Sequence, residues 1–514
     1  MSLGYTSVGR RICWPSHISL KSAASIILRR SVVTEPPHIR GLIKYAELEN
    51  KGYIEVMGPE SVKFINGLVS SKLQATFIKK NLTTIGNDIG SGGPRGEATD
   101  TIPVQEFDIT KGNWGLYHET GSMGPYLSRF GQYTSFLDGK GKLITDSILY
   151  PTPLTMDNVN MTKYPKYLLE FDKKGMLERM LQTLQGHKLL SKVKIQAVDN
   201  SNVKTWDMSV RFQNIPKEVE NPWIDNILRP MGGMKSPEDA LTFANTVVGT
   251  LFAGHEKSIH GLYIERRTDE ILKNDGSAPL MFRIITDNTV NDASTLFNQD
   301  AFPFEFDTIA EKETTFRKLR LQYGLLDGAA DVKPTTVLPL ELNFDYFPDV
   351  VSSNKGCYVG QELTARTFAT GILRKRLIPV TVNNPAALAA YIESIEANGN
   401  AAYPEVEIRN SSGSVVENVK SPEPLAASPF GSSSRPVRKR KIPVGSLISS
   451  EDNAGVVMLR TEYFDKIFDQ LAEQKDKPIL FIDTDNGPNG KEIILTPQEP
   501  FWLNEWFKSN KPSF

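Results

Sequence analysis

Residues 132–151 read QYTSFLDGKGKLITDSILYP. Apolar and polar side chains alternate on both sides of Asp138-Gly139-Lys140-Gly141, whose composition suits a tight turn, so the stretch predicts a β-hairpin. Downstream, 166–199 (KYLLEFDKKGMLERMLQTLQGHKLLSKVKIQAVD) predicts strand, helix, strand, and 204–213 (KTWDMSVRFQ) a further strand. Upstream, 45–73 (YAELENKGYIEVMGPESVKFINGLVSSKL) predicts a strand with Ile54 and Val56 on one half-buried face. A turn at Gly58 to Ser61 follows, then a helix carrying Val62, Ile65 and Val69. GLYIERRTDEI (261–271) and PLMFRIIT (279–286) add strands. FEFDTIAEKETTFRKLRLQYGLLDG (304–328) predicts a helix ending at a glycine, with Phe316, Leu319 and Tyr323 on one face. Hairpins interspersed with strand-helix-strand units favour layered α+β over a doubly wound parallel sheet.

The last third differs. After ILRKRLIPVTV (372–382) comes a variable insert from about 384 to 440, starting with a short alanine-rich helix and running into Ser, Pro and Gly. Short strands follow in 441–460 and 477–502, the pattern of a small β-barrel or sandwich. A second polar, glycine-rich insert spans about 81–129. Its glycines make no phosphate loop, because no Lys-Ser or Lys-Thr follows at the required spacing.

Composition narrows the function classes. In 514 residues the net charge is −1, so no global field attracts nucleic acid or an anionic membrane. No apolar run approaches the roughly 18 residues of a spanning helix. Residues 1–34 hold Arg10, Arg11, Lys21, Arg29 and Arg30 and no acidic residue, and HISLKSAASIILRR (17–30) can form an amphipathic basic helix. That is a mitochondrial presequence pattern, giving a matrix location and domains at 1–34, 35–374 and 375–514. The basic run 435–441 reads as a solvated loop. His255 and His260 lack zinc-protease spacing, and no nucleophile elbow occurs.

The chain has two cysteines, and removal of the leader takes Cys13 with it. Cys357 remains, in NKGCYVGQELTAR (354–366). Gly356 and Gly360 permit unusual backbone angles, GQELTAR opens a helix, and Lys355 is adjacent. A thiol ahead of a helix N-terminus and beside a lysine is suited to ionise and serve metal or redox chemistry. The other reading, a buried small hydrophobe in a glycine turn, stands equally open. One thiol cannot hold an iron-sulfur cluster alone, so cluster chemistry here requires further ligands.

KGCYVGQE resembles the signature of the YgfZ-type proteins, folate-binding relatives of the glycine-cleavage aminomethyltransferase (the YgfZ/GcvT family). Residues 45–73, 133–151, 319–350, 374–380 and 444–460 resemble its other blocks, so the likeness spans most of the chain outside the leader and the inserts. With a mitochondrial leader, the chain is most similar to the family's mitochondrial iron-sulfur assembly branch. The resemblance implies layered α+β domains around a central folate-sized cleft, plus a C-terminal β-barrel. It implies maturation of [4Fe-4S] proteins of the aconitase and lipoate synthase type, with A-type assembly proteins as partners. The implied role is an assembly factor rather than a turnover enzyme. On this resemblance Cys357 is the catalytic thiol and ligand of a transient cluster shared with a partner, and Lys355, Gly356, Tyr358, Gly360, Gln361 and Glu362 complete the signature, with Arg366 just after. Tetrahydrofolate is the implied small-molecule cofactor. The aminomethyltransferases use an aspartate of a paired Asp-Asp; here the pair is Thr145-Asp146, leaving Asp146 as the one carboxylate for a folate amine. Arg283 and Arg320 match arginines around the cleft and stand either for contacts to a folate carboxylate or for surface ion pairs. The alternatives in other classes are a tetrahydrofolate-dependent one-carbon transferase and a purely structural folate-binding protein.

Overall fold

The computed structural model describes residues 39–75, 115–155, 164–216, 219–274, 278–301, 304–399, 402–409, 443–469, 478–484 and 492–510. The leader, most of the insert expected at 81–129 and residues 410–440 of the second insert lie outside the described residues.

Two five-stranded sheets and a barrel organise the chain. The first sheet runs in the order Ile259–Ile264, Leu280–Asp287, Val203–Gln213, Arg40–Glu47, Phe306–Ala310, antiparallel except for the last pair. The second is wholly antiparallel: Gln132–Leu137, Leu143–Thr152, Lys166–Asp172, Lys51–Met57, Lys194–Ala197. Arg40–Glu47 passes into Lys51–Met57 through a three-residue turn, which ties one sheet to the other. The six-stranded barrel closes in the order Lys375–Val382, Ala454–Arg460, Gly445–Glu451, Glu405–Arg409, Ile479–Ile482, Ile493–Pro497. The architecture is therefore α+β with a closed barrel. Both helix Pro385–Ala397 and barrel strand Glu405–Arg409 fall within the stretch read as an insert from about 384.

The hairpin forms as its sequence predicts. Asp138 Oδ1 accepts from the N–H of Lys140 and of Lys142, both at 2.9 Å, which closes the turn. Strand Lys51–Met57 departs from expectation: Tyr53, Ile54 and Val56 are all fully buried, so both faces are covered. The strand is second from one edge of its sheet, with the apolar Ile54 and Val56 in one core and Tyr53 in another. Val69 lies beyond the helix, which ends at Asn66. FEFDTIA supplies the strand Phe306–Ala310, and the helix is confined to Glu313–Gln322. The ERRTDEI half of 261–271 turns helical after Ile264.

Helix Pro237–Leu251 was not anticipated, although its start is written in Ser236-Pro237-Glu238-Asp239. Ser236 Oγ accepts from Asp239 N at 3.1 Å, proline occupies the first turn and two acids face the N-terminal dipole. Its buried Ala240, Leu241, Ala244, Val247, Val248 and Leu251 recur at three- and four-residue spacing and cover the first sheet.

Candidate functional site

The signature loop is fastened at three points. At its entry Asp349, in the left-handed region at φ 59°, accepts from the N–H of Glu119 and of Thr120 at 2.8 Å each and from Arg266 at 3.0 Å. His118 Nδ1 lies 3.2 Å away. These contacts hold Asp349 below the usual carboxylate range, overcoming the burial that pushes it up. Next, the Lys355 ammonium donates to the carbonyls of Asn66 (2.8 Å), Val69 (2.6 Å) and Ser71 (2.7 Å) and sits 4.6 Å from the Tyr358 ring centroid. Burial pulls Lys355 down to about 7, and Glu119 opposes that shift. At the exit Gly360 caps helix Gln361–Thr370 in the left-handed region at φ 78°, and an added Cβ would lie 2.4 Å from the carbonyl oxygen of Asp138. The signature thus seats directly on the hairpin turn.

Between these fastenings Cys357 is exposed, and its thiol is free. The reading as a buried hydrophobe is set aside. The expected partnership with Lys355 also needs correction. All three ammonium hydrogens are spent on carbonyls at and beyond the end of helix Ser61–Asn66, where unpaired carbonyls and the helix dipole attract a cation. The remaining signature residues serve the loop itself. Gln361 Oε1 accepts from Tyr358 N at 3.2 Å, and the Tyr358 ring is buried. Gly356 is half-buried, and Glu362 forms an exposed pair with Arg366 at 3.2 Å, a geometry worth little in stability. Among the described residues no group of three or more His, Cys, Asp or Glu could hold a metal ion.

The other candidates lie in a different place, between the two sheets. Arg283 donates from Nε to Asp207 (2.6 Å), from one terminal nitrogen to Asp327 (2.7 Å) and from the other to Glu170. Arg320 binds Asp207 and lies 3.4 Å from Asp327. Lys51 donates to Asp172 and Asp327, each at 2.8 Å. Asp146 accepts from the Tyr133 hydroxyl at 2.6 Å and from Gly328 N at 2.8 Å. Three cations thus face five carboxylates, all buried or nearly so. Burial first, then Asp327, pushes Asp146 up to about 6; Asp327 and Asp207 are held low because the arginines outweigh their burial.

Neither arginine is at the surface, and neither is free to meet a folate carboxylate. The space left among Lys51, Tyr133, Asp146, Glu170, Asp172 and Asp327 is about 10 Å³, room for one water. A pterin does not fit there in this packing, so the site expected from Asp146, Arg283 and Arg320 is a filled ionic core. Sequence reasoning missed Lys51, Glu170, Asp172, Asp207, Asp327 and Asp349. The signal was available for two of them: Glu170 in LLEFD and Asp207 in TWDMSV are, like Arg283 in MFRII, charges inside otherwise apolar strands, which must find partners.

No family profile matches the chain. The mitochondrial iron-sulfur cluster assembly factor IBA57 of Saccharomyces cerevisiae is 45% identical, over 94% of this chain and 93% of that protein. Its homologues in Candida glabrata (44%, over 91% and 92%) and Kluyveromyces lactis (43%, over 90% and 93%) are similar over the same extent. Among solved structures, the glycine cleavage system aminomethyltransferase T of Bartonella henselae aligns with TM-score 0.42 and 11% identity, over 90% of this chain and 87% of that one. With near-complete coverage at 43–45% identity in these three relatives, the chain belongs to the IBA57 family of mitochondrial iron-sulfur cluster assembly factors.

Proposed function

We propose that the chain matures [4Fe-4S] proteins of the aconitase and lipoate synthase type in the mitochondrial matrix, together with A-type assembly proteins. Residues 1–34 act as the presequence, and Cys357 is the sole thiol of the mature chain. The cluster is cargo. Cys357 loses its proton to solvent and donates a sulfur lone pair to one iron, while the partner's thiolates supply the other ligands. The observation that carries this reading is an exposed thiol on a loop fastened at Asp349, Lys355 and Gly360. Such a loop loses little further freedom when the thiol is captured, which favours binding. One-carbon transfer is not adopted, because Asp146 is enclosed with room for one water beside it.

The test is genetic. In yeast cells lacking their own family member, wild-type chain restores mitochondrial aconitase activity and protein lipoylation, and Cys357→Ser does not. Full restoration by Cys357→Ser refutes the role of the thiol.

A further inference from the structure

The turn joining helix Leu177–Lys188 to strand Lys194–Ala197 presents two leucines to solvent. Leu189 is 86% and Leu190 97% exposed, the two most exposed large apolar side chains among the described residues. Single exposed apolar residues are ordinary, but a pair left bare at one apex is not. The backbone adds a second anomaly. Ser191 N donates to Lys188 O at 2.8 Å, which places Leu189 and Leu190 at the two central positions of a β-turn. Leu189 stands at φ 42° and ψ −116°, the first corner of a type II′ turn, where glycine is the ordinary residue. The leucine is strained there and buries almost nothing in return, and exposed strain of this kind marks a functional position. The turn is nonetheless held firmly. Lys192 N donates to Glu60 Oε2 at 2.7 Å, Val193 is buried in the core, and a Cβ added at Gly58 would lie 2.2 Å from Lys192 O.

Charge indicates what covers the leucines. His187, Lys192 and Lys194 are exposed around them, and Lys188 is half-buried. Lys63 joins the same rim: its ammonium lies 4.0 Å from Glu60, the residue that accepts from Lys192 N. In residues 57–63 and 187–194 together, four lysines stand against one acid, Glu60. Surface charge acts over a Debye length, about 8 Å in physiological salt, so this local excess governs contact here rather than the net charge of −1. Shape then selects among anionic surfaces. A folded protein must offer a cavity matched to two projecting side chains, whereas a lipid leaflet admits an apolar protrusion and holds lysines at its phosphates. Apolar insertion and a basic patch are together the two signals that a reversible anchor requires.

We propose that Leu189 and Leu190 insert into the anionic phospholipid surface of a membrane, with Lys63, Lys192 and Lys194 against headgroup phosphates. The attachment is peripheral and reversible; among the described residues no helix is long and apolar enough to cross a membrane. It does not depend on the reading of Cys357 given above.

The experiment is cosedimentation of the mature chain, free of its basic leader, with vesicles of phosphatidylcholine alone and of phosphatidylcholine and phosphatidylglycerol at three to one, in physiological salt. Wild type binds the mixed vesicles and not the neutral ones. Leu189→Gly/Leu190→Ser relieves the turn, so its thermal midpoint is not lowered, and its binding falls about tenfold or more. Lys192→Gln/Lys194→Gln keeps the leucines and loses about tenfold or more. Wild-type binding by either variant overturns the proposal and moves the membrane contact elsewhere, the basic run 435–441 included. Equal binding of wild type to both kinds of vesicle also overturns it. So does wild type that ignores the mixed vesicles: loss of self-association in the leucine variant would then assign the turn to a contact between copies, and binding of wild type to polyglutamate would assign it to an acidic protein.

Discussion

Gly360 and Gly371 cap the two ends of one helix in nearly the same left-handed backbone, at φ 78° and 65°. Alanine at either position incurs the penalty of that region, about 1–2 kcal/mol. The surroundings differ. Around Gly371 nothing lies within 4 Å of an added Cβ, whereas at Gly360 the Cβ meets Asp138 O at 2.4 Å and Leu137 Cβ at 2.8 Å. A backbone oxygen and a strand Cβ cannot swing aside, so Gly360→Ala adds an overpacking cost of about 1–3 kcal/mol. The expected totals are about 1–2 kcal/mol for Gly371→Ala and about 2–5 kcal/mol for Gly360→Ala. Urea denaturation of both variants reads the difference, with unchanged m-values showing that the folded and unfolded states remain comparable. Equal destabilisation would refute the inference that the signature glycine seats the Cys357 loop on the hairpin.

Three further outcomes follow from the ionic core. Asp146, raised from 3.8 to about 6, binds more protons folded than unfolded in that window. Its contribution is therefore present below pH 4 and lost as pH rises through 6. The stability of wild type relative to Asp146→Asn should fall by up to about 3 kcal/mol between pH 4 and 7, and a flat difference would contradict the shift. Arg283→Met leaves Glu170, Asp207 and Asp327 without their shared guanidinium and should cost about 3–5 kcal/mol in denaturant titration; a fully stable variant would mean the arginine faces a ligand site instead. Tetrahydrofolate at millimolar concentration should leave the thermal midpoint unchanged, and a dose-dependent rise would show that the core opens to admit it.

The sequence carried the local structure well. The 138–142 turn needs only its own aspartate to close, and KYLLEFD, KTWDMSVRFQ and PLMFRIIT form strands where periodicity places them. What it concealed was partnership at long range. Arg283 meets Asp207 across 76 positions and Glu170 across 113, so no local pattern distinguishes a buried ion pair from a ligand-facing arginine. The same limit applied to Lys355: adjacency suggested a thiol partner, yet its four-carbon stem carries the ammonium to carbonyls 284 to 289 positions away. Cys357 was legible by counting as one of two cysteines, and its exposure required the fold.

The central claim, that Cys357 completes a cluster held by another protein, is tested most directly by mixing mature chain with an A-type assembly protein carrying a cluster. Visible absorption and circular dichroism spectra of the mixture are compared with the sum of the parts. The account predicts a new spectrum in the wild-type mixture that is absent with Cys357→Ser and absent from the chain alone. Identical mixture spectra for wild type and Cys357→Ser would contradict it.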